Sequence, residues 1–83
     1  METKLAVIGI IIDNKASVEQ VNTILHQYRE VIIGRMGLPY EKRQVSIISV
    51  VVDAPGDTIS ALSGKLGGLS GVSAKALYSK AQN

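Results

Sequence analysis

Two runs, LAVIGIII at 5–12 and VSIISVVV at 45–52, restrict this chain more than any other feature. Each is short, rich in Val and Ile, and followed at once by an aspartate, Asp13 or Asp53. Apolar runs of that length and composition predict buried strands. The segments after the two runs are alike as well. Ser17 with Gln20 three residues on has the pattern of a capping box. Val18, Val21, Ile24, Leu25 and Tyr28 then recur at helical spacing, which predicts a helix over 17–29. In the second half Asp57 of APGD is the expected N-cap. Ile59, Leu62 and Leu66 form an apolar stripe that Gly67-Gly68 ends, which predicts a helix over 57–66.

Sliding the sequence on itself turns this likeness into a repeat. Val18, Val21, Leu25 and Tyr28 fall on Ile59, Leu62, Leu66 and Leu69 at an offset of 41, and Val31 meets Val72 at the same offset. The strands match at 40, Ile10 to Asp13 onto Val50 to Asp53, so one loop is a residue longer. Val31–Met36 and Val72–Tyr78 supply the closing strand of each half, the second alternating Val72, Ala74, Ala76 and Tyr78 against Ser73 and Lys75. A duplicated βαβ with right-handed crossovers makes a ferredoxin-like βαββαβ domain of α+β class. Its four-stranded antiparallel sheet carries both helices on one face. We expect a single domain over residues 1–83.

The other face of that sheet has no helix to cover it. A solvated face should be polar at alternate positions. Here Val45, Ile47 and Val51 point one way while Ile48, Val50 and Val52 point the other, and LAVIGIII is apolar on both sides. An exposed patch of that kind is a liability, so we expect a homodimer or homotetramer formed through the open sheet face. Size argues in the same direction. At 83 residues folding buries only about 60 to 65% of the unfolded chain's surface, and without cysteines no disulfide can help.

Composition excludes several function classes. The longest apolar run, Leu5–Ile12, is far short of the roughly 20 residues that span a bilayer, and it lacks signal-peptide flanks, so a soluble cytoplasmic protein is expected. Nine Lys and Arg against seven Asp and Glu, scattered along the chain, form no nucleic-acid footprint, and the central strands offer no aromatics for base stacking. A transition-metal site would draw on imidazole or thiolate, and the chain has one histidine, His26, and no cysteine. Ser17, His26 and Asp13 make no triad, because Ser17 serves as a helix cap and His26 lies more than two turns away. SGKLGG has neither the first glycine nor the Ser or Thr of a P-loop. No catalytic residues, cofactor or metal are expected, and the protein is not read as an enzyme.

One stretch remains, GRMGLPYEKR at 34–43, with three basic residues against one acid. Gly37, Leu38 and Pro39 suit a hairpin between the two halves, since Gly37 permits a positive φ and Pro39 tends to end strand pairing. Gly34-Arg35-Met36 precedes that turn within the strand. A glycine there suggests close approach of a backbone or ligand, and Arg35 suits a carboxylate, from a ligand or from another subunit.

GRMGLPY, SIISVVVDA and GKLGGLSGVSAKALYS together, spanning essentially the whole chain, resemble a family of short single-domain proteins described as proposed regulators of the iron-only hydrogenase system. Those proteins resemble the ACT domain and the C-terminal domain of the nickel-responsive repressor, βαββαβ modules that assemble sheet to sheet and bind small effectors at subunit interfaces. The resemblance implies an ACT-like, effector-binding regulator. It carries over no nickel site, the repressor's ligands being histidines and a cysteine. It carries over no DNA-binding segment either, because the first strand begins within five residues of the N-terminus. It directs attention to the first strand-to-helix loop, Asp13 and Asn14. With Arg35, Met36, Tyr40 and Arg43 these are the candidate ligand-binding residues. The alternative is a structural or protein-interaction module without a small-molecule ligand.

Overall fold

The computed structural model describes residues 2–80. Strand β1 (Lys4–Ile12) leads through a short 3₁₀ turn (Lys15–Ser17) into helix α1 (Val18–Gln27), then strands β2 (Ile32–Tyr40) and β3 (Val45–Ala54), helix α2 (Gly56–Gly67) and strand β4 (Val72–Tyr78). The sheet is antiparallel throughout, in the order β2-β3-β1-β4. This is the ferredoxin-like arrangement that the repeat implies.

Strand alternation decides what is buried. Ala6, Ile8, Ile10 and Ile12 of β1 and Ile48, Val50, Val52 and Ala54 of β3 face the helices and form the core. Val21 and Leu25 of α1 and Ile59, Leu62 and Leu66 of α2 close over them. The residues related by the offset of 41 take matching places: Val21 with Leu62 and Leu25 with Leu66 are all buried.

Among the described residues nothing covers the opposite face. Its cross-strand rows run Leu38-Ile47-Ile11-Ser73, Met36-Ser49-Gly9-Lys75 and Gly34-Val51-Val7-Leu77, from β2 to β4. Leu77 is 73% exposed, Met36 71%, Leu38 58% and Ile11 48%. At Gly9, in the middle of the face, an added Cβ would meet nothing within 4 Å, so no packing inside the chain requires glycine there.

Several local expectations are corrected. The chain does not turn at Gly37-Leu38-Pro39. Strand β2 runs through them to Tyr40, and the turn is Glu41–Gln44, with Gln44 taking the left-handed conformation at φ 56. Proline is tolerated because β2 is an edge strand, where a missing N–H can face solvent. Gly37 has no positive φ. Among the described glycines that conformation belongs to Gly71, at φ 69. Ser17 precedes α1 but makes no capping hydrogen bond. Its buried hydroxyl donates instead to the Ser70 carbonyl, 2.6 Å away. Asp57 lies inside the first turn of α2, and the capping position is Pro55, whose carbonyl accepts from the Thr58 and Ile59 amides.

Candidate functional site

The six candidate residues divide among three places. Arg35 pairs with Val50 and therefore lies on the helix side of β2. Its Nη2 donates to Asn22 Oδ1 on α1, 3.0 Å away. The two residues border an open hollow of about 560 Å³ with His26, Arg29 and, as apolar wall, Leu25 and Ile32. Arg29 Nη1 donates to the His26 carbonyl at 2.9 Å, a contact that also closes the end of the helix.

Met36 and Tyr40 pair with Ser49 and Val45, which places both on the other face of the sheet, and Met36 is central to its apolar surface. At the hairpin end Tyr40 also borders a second hollow of about 410 Å³, between the β2–β3 turn and the start of α1, with Lys15, Val18, Glu41 and Gln44. Arg43 is in that turn, where its amide donates to the Tyr40 carbonyl at 3.3 Å.

Asp13 and Asn14 form a clasp between the two halves of the chain. The Asp13 amide donates to the Gly71 carbonyl at 2.8 Å. Asn14 Oδ1 accepts from the Ala16 amide at 3.1 Å, and its Nδ2 donates to Ser70 Oγ at 3.2 Å. These groups are engaged in holding the first loop on the second, and Ser17 joins them from below. A side chain at Gly71 would bring its Cβ to 2.6 Å from Asn14 Cβ and Asp13 Oδ1, so the clasp closes only over glycine.

Asn22, Arg29, Ser70 and Gly71 do not stand out in the sequence. A signal for the first two exists, since Asn22, His26 and Arg29 fall at i, i+4 and i+7, one stripe of a helix beside its apolar one. Among the described residues no three of His, Cys, Asp or Glu gather where they could hold a metal ion. No helix among them is long and apolar enough to cross a membrane.

The model of a family described as TM1266-like, proposed regulators of the iron-only hydrogenase system, matches residues 4–76. The chain belongs to the TM1266-like family. A solved structure titled as that of the uncharacterized protein TM1266 from Thermotoga maritima is 39% identical in sequence and superposes with a TM-score of 0.91. The match covers 95% of this chain and 100% of that one. No curated protein matches. The description of the TM1266-like family as proposed regulators of the hydrogenase system thus falls on a sheet with one open apolar face.

Proposed function

We propose that this protein is a regulatory, effector-binding module of the iron-only hydrogenase system that works as a homo-oligomer paired through its open sheet face. The observation that carries the reading is the extent of that face. The exposed parts of its large aliphatic and Met side chains amount to on the order of 700 Å². That exceeds the roughly 300–600 Å² of the largest patch on an ordinary monomer and comes close to the about 800 Å² that each partner contributes to a standard interface. A second copy suits it, because the face holds few charges and these are of opposite sign, Lys75 on β4 and Asp53 on β3. Gly9 and Ser49 at its centre leave room for close approach.

Regulation in this reading passes through ligand and protein contacts; neither central strand carries an aromatic residue on which a single-stranded base could stack. Light scattering at micromolar concentration, together with a thermal-shift panel of amino acids, nucleotides and divalent metals, tests it. The expected result is a mass of at least twice 8.8 kDa and at least one stabilising small molecule. A monomer would overturn the oligomer. A dimer that no compound stabilises would replace the effector reading by that of a protein-interaction module.

A further inference from the structure

The helix side of β2 holds groups that the fold does not consume. Asn22 and His26 of α1 and Arg29 of the turn that follows it border the hollow of about 560 Å³ from above, and Arg35 and Gly34 border it from the strand. Among the described residues no Asp or Glu lines it. Both guanidiniums are held by neutral acceptors, Arg35 by the Asn22 amide oxygen and Arg29 by the His26 carbonyl. Each of these bonds uses one of the five N–H donors of a guanidinium, so most of the donor capacity stays open. Arg29 has an ordinary explanation, because a cation near the end of a helix complements its dipole. Arg35 has none: it stands on a strand, its charge is balanced by no carboxylate in the hollow, and it is oriented by an amide. The strand is irregular at the same place, with a register shift between Ile32 and Gly34, and a Cβ at Gly34 would meet nothing within 4 Å.

We propose that this hollow binds a small phosphate-bearing molecule, an assignment that rests on the effector reading above and names its ligand class. Arg35 and Arg29 supply charge-assisted hydrogen bonds to the phosphate, and Ile32 and the exposed Ile33 meet the organic part. A carboxylate offers two coplanar oxygens, which one guanidinium fork satisfies. Two guanidiniums bordering one hollow, one from a strand and one from the turn after a helix, suit the tetrahedral set of oxygens on a phosphate. The volume lies within the roughly 300–1,000 Å³ of small-molecule sites and is more than bare phosphate needs.

The test is a titration of the intact protein with adenosine monophosphate, followed by backbone amide NMR, with inorganic phosphate and succinate as comparison probes. Adenosine monophosphate is expected to shift amides in 22–29 and 32–35, and phosphate to compete with it more strongly than succinate. Arg35→Gln should weaken binding roughly tenfold to hundredfold while the mass by light scattering stays that of the wild type. Arg29→Gln, in the turn after α1 instead of on the strand, gives an independent reading if the first variant does not fold. Shifts confined to other residues, none at low-millimolar probe, or unchanged affinity in both variants would overturn the site. Succinate binding as tightly as phosphate would overturn the ligand class. Should no phosphate compound bind while another member of the thermal-shift panel does, this assignment falls and the effector reading stands. If nothing in the panel binds, both fall.

Discussion

Replacing Ile11 by aspartate should separate folding from association, and the expected size of each effect is set by where the side chain sits. Ile11 lies on the central strand β1, opposite Ile47, and is 48% exposed. About half of it is already out of water in one subunit. With about 1.5–3 kcal/mol for burying a whole aliphatic side chain, the substitution costs the isolated fold about 1 kcal/mol of packing, plus up to about 1 kcal/mol of strand preference. A domain with an ordinary margin of about 5–15 kcal/mol survives that. In a sheet-to-sheet dimer the other half of each Ile11 is buried too. Both copies then lose about 1 kcal/mol of contact, and each brings a carboxylate that costs at least about 2 kcal/mol to strip of water without a partner. The total is about 6 kcal/mol, some four powers of ten in the dissociation constant. Light scattering at micromolar concentration should give the wild type at no less than twice 8.8 kDa and Ile11→Asp at 8.8 kDa, with the circular dichroism of the native fold retained. A variant that keeps both the wild-type mass and the native spectrum would refute the assignment of this face.

Two further predictions concern the clasp. Gly71→Ala should lower stability by about 2–4 kcal/mol, the left-handed φ of 69 and a contact of 2.6 Å both opposing a Cβ, and thermal denaturation should show a drop of roughly 10 °C or more. Gly37→Ala, where a Cβ meets open space and φ is not positive, should be neutral or slightly stabilising in the same assay. Ser17→Asp distinguishes a cap from a buried donor. Aspartate is as good an N-cap as serine, but it cannot donate to the Ser70 carbonyl, so a loss of about 2 kcal/mol or more is expected in chemical denaturation, and unchanged stability would restore the capping role.

The fold was legible because its strongest determinants are local and repeated. Near-continuous runs of Val and Ile mark both central strands, the offset of 41 pairs the buried residues of the two helices, and Val72–Tyr78 alternates visibly. What misled were signals whose meaning depends on distant partners. Gly37 and Pro39 have the chemistry of a turn, yet an edge strand leaves one side of its backbone unpaired and accepts proline within it. The actual turn uses Gln44 in the left-handed region, which no turn preference for glutamine would indicate. Ser17 followed by Gln20 looks like a capping box, but its partner is Ser70, 53 residues away, and only the folded chain brings the two together. The candidate site suffered in the same way. Arg35 was identifiable as a cation without a folding role, whereas Asn22, which orients it, lies on a different element.

Arg35 and Met36 are neighbours in sequence, and strand alternation sends them to opposite faces of the sheet. The two proposed activities therefore meet in consecutive residues of one edge strand, and adjacent substitutions should fail in opposite assays. Arg35→Gln should lose the phosphate compound and keep the oligomer. Met36→Asp, at a position 71% exposed in the single chain, should fold, keep the hollow and lose the oligomer by the same burial of an unpaired carboxylate as at position 11. If instead Met36→Asp also changes the affinity for adenosine monophosphate, the strand couples the two faces. Linkage then requires saturating ligand to shift the dimer association constant by the square of that factor, one power for each of the two sites, which light scattering with and without the nucleotide would measure. If each substitution affects only its own assay, the faces are independent and the strand joins two separate functions.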